Sequence, residues 1–282
     1  MSRHYILRKF VCVVVSISLI DAPISAATPK AYDRNTDDDS RLALVIGNSA
    51  YLADPLDNPV NDANAVASAL DRLGFEVMLA KDLNGRELRR RVSLFLDRAE
   101  HERGTALLYY AGHAVAPGGR NILLPVDINP RNVREVEDEG VHVVKMLNDL
   151  EGSRKHTRIL IFDACRDNPY GQAGDKLIRR LHRARGASGA PAAQQPVSEL
   201  AGGLAEVSAK GTLVAFSTAP GSVAEDGEGR TNSVFTAHLV DALSTPGLSI
   251  AEVFKRVTER VKTETRGAQV PWVAGALERP FV

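Results

Sequence analysis

Cysteine is nearly absent from this chain of 282 residues, which holds two, and only Cys165 lies beyond the N-terminal segment that contains Cys12. One thiol in an exported chain excludes an internal disulfide, so the fold must rest on its core alone. An excess of charge of either sign is lacking as well. Lys and Arg number 35 against 35 Asp and Glu, for a formal net charge of 0, which points to neither a nucleic-acid surface nor a membrane surface. Aromatic residues make up 5%, with Trp272 the sole tryptophan. The apolar stretch 10–20 is shorter than the ~20 residues of a membrane-spanning helix, and Asp21 interrupts its end. Arg3, Arg8 and Lys9 precede that stretch and Ser25-Ala26-Ala27 follow it. Residues 1–27 therefore read as a secretory signal peptide cleaved near Ala27, with export to the periplasm or the medium and no stable membrane span after cleavage.

What remains suits one sizeable α/β core, with no internal repeat and with residues 28–40 as a polar tether. Leu42-Ala-Leu-Val-Ile46 is a short apolar run ending in Gly47-Asn48, as in a strand buried on both faces. A helix capped by Asn61 or Asp62 should follow, carrying Ala65, Val66, Ala69, Leu70 and Leu73 at helical spacing. The alternation continues with a strand over 75–80, a helix over 83–98 and strands over 105–110, 121–126 and 158–162. Helices are expected over 233–243 and 250–261, and an extended segment over 269–273. Val253, Phe254, Val257 and Val261 should pack on the sheet. The fold class is α/β, with a mostly parallel central sheet flanked by helices.

Open sheets of this kind collect their chemistry at the carboxyl ends of the strands. Two strand ends carry reactive residues, Leu107-Leu-Tyr-Tyr-Ala-Gly-His113 and Ile159-Leu-Ile-Phe-Asp-Ala-Cys165. A free thiol titrates near pH 8.5 and is little ionised at neutrality, so an adjacent imidazole would activate it and later protonate a leaving amine. Taken singly, Cys165 reads as a small buried hydrophobe and His113 as a loop histidine satisfied by backbone. Gly112 and Pro117-Gly118-Gly119 predict a tight loop whose N–H groups face a developing oxyanion. His4, His101, His142, His156, His182 and His238 show no paired ligand spacing, so no zinc site is expected.

Tyr109-Tyr-Ala-Gly-His113-Ala, followed by Phe162-Asp-Ala-Cys165-Arg-Asp-Asn-Pro, resembles the caspase-like cysteine peptidases, particularly their bacterial metacaspase- and paracaspase-like members. The interval, 165 − 113 = 52 residues, is close to the roughly 50 by which the family histidine precedes its cysteine. Ala43-Leu-Val-Ile-Gly-Asn48 with Leu56-Asp-Asn-Pro-Val-Asn-Asp-Ala63 is similar to the family's opening, and Thr212-Leu-Val-Ala-Phe-Ser-Thr218 with Thr231-Asn-Ser-Val-Phe-Thr236 to the start of its small lobe. The resemblance implies a three-layer caspase-like fold over 41–282, with a large lobe over 41–169, a linker over 170–211 and a small lobe over 212–282. It implies a Cys165 nucleophile, a His113 general base, and an oxyanion hole from the N–H groups of Ala114 and Cys165. Alanine at 114 departs from the family's usual glycine, and keeps the donor provided that no positive φ is required there.

Metacaspases cut after arginine or lysine, and Asp163 and Asp62 fall where their pockets are acidic. Two carboxylates in a cleft suit a guanidinium and repel an aspartate, so the expected substrates are proteins or peptides cut after Arg, then Lys. The alternative roles are a helix N-cap for Asp62 and a strand-end hydrogen bond for Asp163. The linker is basic at 175–185 and rich in Ala, Gly, Pro and Gln at 186–196, which reads as a mobile surface segment with self-cleavage sites at Lys176, Arg179, Arg180, Arg183 and Arg185. Glu225 and Asp226 read by default as a solvated turn, with attraction of a basic substrate as the alternative; Trp272 suits core or rim packing better than the cleft wall. No cofactor is indicated; calcium dependence stays open, since neither 37–39 nor 135–139 has the spacing of a calcium loop. Other readings are a catalytically inactive caspase fold that binds partners at the cell envelope, and an acyl transferase or ligase on the same fold.

Overall fold

The computed structural model describes residues 40–151, 156–165, 204–205, 207, 211–219, 229–275 and 277. The leader, the tether up to residue 39, the basic part of the linker and Glu225-Asp226 lie outside the described residues.

The apolar run after residue 40 forms β1 (Ser40–Gly47). Then come α1 (Pro59–Arg72), β2 (Glu76–Lys81), α2 (Gly85–His101) and β3 (Gly104–Val115). Two short strands, β4 (Ile122–Leu123) and β5 (Val141–His142), bracket α3 (Val133–Glu139), and α4 (Val143–Glu151) leads to β6 (His156–Cys165). The remainder contributes β7 (Thr212–Phe216), α5 (Val234–Leu243), α6 (Ile250–Glu264) and β8 (Trp272–Ala274). The main sheet runs β2-β1-β3-β6-β7-β8, parallel throughout except for β8, which is antiparallel to β7.

The two-residue period of the strands sorts the core into two layers. Leu44, Leu108, Leu160 and Phe216 face one side, where Leu88, Val92 and Phe95 of α2 and Met146, Leu147 and Leu150 of α4 cover them. Val45, Tyr109, Ile161 and Ala215 face the other, under Val66 and Leu70 of α1, Leu239 of α5 and Val253, Phe254, Val257 and Val261 of α6. Each buried Val, Leu, Ile, Phe or Met side chain among them contributes about 1.5–3 kcal/mol of apolar transfer. The result is the three-layer α/β arrangement, helices on both faces of a mostly parallel sheet, that the alternation predicts.

Several boundaries differ from expectation. Helix α1 opens at Pro59 rather than at a cap on Asn61 or Asp62: the Ser49 hydroxyl accepts the Val60 N–H at 3.2 Å, and the Asp62 N–H already bonds back to the Asn58 carbonyl. Gly47 permits this approach, because a Cβ there would lie 2.2 Å from the Pro59 carbonyl oxygen. Strand β3 continues five residues past Tyr110, so His113 lies within the strand and not in a tight loop, and the Pro117-Gly118-Gly119 turn follows the strand's end. Pairing with β4, Ala114↔Leu123 and Val115↔Ile122, carries the strand on. The strand expected over 121–126 shortens to two residues because Pro125 has no N–H and the Leu124 carbonyl is taken by the side chains of Asn48, Tyr51 and Tyr110.

Part of the stretch expected as linker is packed. Leu204 and Val207 are buried against the α2/α4 layer, and Asn121, 1% exposed, binds Ala205 twice: Nδ2 donates to its carbonyl at 2.8 Å and Oδ1 accepts its N–H at 2.6 Å. Composition hid this, since a small-residue stretch with two apolar side chains has no period to read.

Candidate active site

The carboxyl ends of β1, β3, β6 and β7 lie at one edge of the sheet. His113 is near the end of β3 and is 1% exposed. Its backbone is held on both sides: the N–H donates to Tyr51 Oη at 2.8 Å, and Tyr110 Oη donates to its carbonyl at 2.7 Å. The two hydroxyls are 3.0 Å apart. Burial, and then the neighbouring Tyr110, push the Tyr51 hydroxyl well above its ordinary pKa, so it stays protonated and both gives and takes hydrogen bonds. Gly112 makes room for this pair, since at φ 149° a Cβ would meet Tyr51 Oη at 2.5 Å.

The imidazole of His113 leans on the Tyr51 ring, centroids 4.4 Å apart, and its Nε2 lies 2.7 Å from the carbonyl oxygen of Asp54. A carbonyl only accepts, so Nε2 carries the proton and the neutral ring keeps its lone pair on Nδ1. Asp54 takes a left-handed φ of 57°, and its exposed carboxylate is 3.9 Å from Nε2.

The β3–β6 ladder is parallel and in register to its end, where His113 stands opposite Cys165. Neighbouring strands are about 4.8 Å apart, so the two residues meet across one strand spacing. Ala114 follows in β3 with no positive φ, which alanine accepts. The Leu124 N–H donates to the His113 carbonyl, so the strand alternation turns the N–H of Ala114 the other way, toward β6.

Asp62 and Asp163, 2% and 7% exposed, gather at the N-terminus of α5. Asp62 Oδ1 accepts from Asn232 Nδ2 at 2.8 Å and from the Ser233 N–H at 3.0 Å. Asp163 Oδ2 accepts from Ser233 Oγ at 2.5 Å and from Thr236 Oγ1 at 2.8 Å. Both carboxylates, 101 residues apart in sequence (163 − 62), thus converge on Ser233. Trp272 lies 39% exposed on the edge strand β8, a rim position. Among the described residues no group of three or more His, Cys, Asp or Glu is placed to hold a metal ion, and no helix is long and apolar enough to cross a membrane.

Residues 40–282 match the family model of the caspase domain. The chain belongs to the caspase-domain family. The caspase domain is, in general, a cysteine peptidase domain. Human mucosa-associated lymphoid tissue lymphoma translocation protein 1 is 31% identical over 130 residues, covering 45% of this chain and 15% of that protein. Its mouse homolog is 30% identical over the same length, and mouse caspase-12 is 27% identical over 135 residues, 47% of this chain and 31% of that protein. The chain thus spans less than a third of the curated relatives it matches. Within the caspase domain, sequence reasoning missed Tyr51, Asp54, Tyr110, Asn232, Ser233 and Thr236. Asn232, Ser233 and Thr236 lie in the Thr231–Thr236 motif and Tyr110 in the histidine motif, which carried no role for them; the tyrosines act across 62 and 3 residues on His113, which spacing alone does not reveal.

Proposed function

We propose that the chain is a cysteine endopeptidase with Cys165 as nucleophile and His113 as general base and acid, cutting after Arg and then Lys. The observation that carries the reading is the register that sets His113 opposite Cys165, with the imidazole proton held on Nε2 by the Asp54 carbonyl. Nδ1 of His113 takes the thiol proton, and the thiolate attacks the scissile carbonyl carbon. The resulting oxyanion is met by the N–H groups of Ala114 and Cys165. Collapse breaks the C–N bond as His113 returns the proton to the leaving amine, leaving a thioester. His113 then draws a proton from water, whose oxygen attacks the thioester, and the acid and the free thiol are released. No step calls on a metal or other cofactor. Asp163 and Asp62 hold the substrate's guanidinium or ammonium, and the same preference makes Lys176, Arg179, Arg180, Arg183 and Arg185 sites of self-cleavage. Residues 1–27 direct export to the periplasm or medium.

The test is hydrolysis of fluorogenic peptides with Arg, Lys, Asp or Ala before the scissile bond, by the native protein and by Cys165→Ala, with calcium or chelator. Turnover after Arg or Lys that Cys165→Ala abolishes is expected. Turnover after Asp overturns the acidic pocket, and no turnover with an unreactive Cys165 thiol favours a binding module.

A further inference from the structure

Ser233 does more than cap α5. A helix cap needs only its side-chain oxygen, and here Ser233 Oγ accepts the Thr236 N–H at 3.0 Å. Its proton goes to Asp163 and its backbone N–H to Asp62, so this 5% exposed residue ties together a carboxylate from α1 and one from β6. Asn232 adds a second donor to Asp62. Thr236 adds a second donor to Asp163, and since its proton is committed there, Tyr109 Oη donates to Thr236 Oγ1 at 2.6 Å. Each carboxylate oxygen named here receives two donors, which fixes the plane of the group as well as its position.

We infer that Ser233, seconded by Asn232, is a positioning residue that sets discrimination between arginine and lysine at the cut site. The inference rests on the basic-residue pocket proposed above. A guanidinium is planar and pairs with carboxylates through a rigid fork, so it requires acceptors held in one orientation; an ammonium is a compact charge that tolerates their rotation. Loosening the carboxylates must therefore cost an arginine substrate more than a lysine one.

The test compares Ser233→Gly, Ser233→Thr and Asn232→Ala with the native full chain on matched Arg and Lys peptides. Glycine is a tolerated N-cap and keeps the backbone N–H, so Ser233→Gly removes the hydroxyl with little cost to α5. It is expected to lower kcat/KM for Arg about tenfold, through KM, and for Lys about twofold, the size expected for one hydrogen bond to a charged group. The rate of Cys165 alkylation by iodoacetamide should not change, and Ser233→Thr should restore the Arg to Lys ratio. Asn232→Ala, at a half-buried position before the helix, should narrow the ratio in the same direction even if Ser233→Gly does not fold. Equal losses on both substrates, or a ratio unchanged in Ser233→Gly and Asn232→Ala, overturn the inference while leaving the pocket in place. A native enzyme without preference for Arg or Lys overturns both.

Discussion

His113 is held by the backbone rather than by its ring alone, and that is where its single-residue sensitivity lies. Tyr51 accepts its N–H and packs on the imidazole, while Tyr110 closes on its carbonyl. Tyr51→Phe keeps the ring and deletes the acceptor, leaving a buried N–H without its partner. The expected cost is about 1–3 kcal/mol of stability, read by urea unfolding, together with a fall in kcat while KM for an Arg peptide is kept. Tyr110→Phe should cost less, because the His113 carbonyl also receives the Leu124 N–H. Gly112→Ala tests the same spot from the other side. A Cβ 2.5 Å from Tyr51 Oη, at a φ that L side chains avoid, should lower both stability and turnover more than Tyr51→Phe does.

At the scale of elements, periodicity carried most of the fold: the two apolar strands β1 and β6, the stripes of α1, α2 and α6, and the parallel order of the sheet follow from side chains that must be buried. What it did not carry are features made by partners distant in sequence. The reach of β3 to Val115 depends on β4, the start of α1 on the Ser49 hydroxyl, and the burial of Leu204 and Val207 on Asn121. His113 and Cys165 stood out as candidates because each closes an apolar run, and Asp62 and Asp163 because they fall where the metacaspase resemblance puts acidic pocket residues; Ser233 was only the first residue of an expected helix. Helix pairing offers a further test. Glu264 of α6 binds His238 of α5 and Arg230 ahead of it, and these bonds, the His238 one foremost, hold its carboxyl below the ordinary glutamate range. A lowered carboxylate stabilises above the unfolded pKa near 4.3, and that stability is lost as pH falls through the lower folded value. Glu264 is a third exposed and Arg230 half exposed, so Glu264→Gln should cost only a few tenths of a kcal/mol at pH 7 and flatten the acid limb of the stability profile below about pH 4.5.

For the molecule as a whole, the proposed pocket is a joint product of chain before and after the linker. Asp62 and Asp163 come from the first part, and Asn232, Ser233 and Thr236 from the second. The same division runs through the sheet, where β6 pairs with β7 from Arg158↔Thr212 to Phe162↔Phe216. The proposed self-cleavage among Lys176, Arg179, Arg180, Arg183 and Arg185 would cut neither seam, because every one of these residues precedes Leu204, which is already packed. Both pieces should therefore remain one particle. The expected result on long incubation is two bands on a denaturing gel, one species of unchanged mass in native sizing, undiminished turnover after Arg, and a single intact band for Cys165→Ala. Separation of the pieces in native sizing would mean that the β6–β7 ladder and the Ser233 bonds do not hold the lobes without the covalent link, and the loss of Arg turnover should then track the separation.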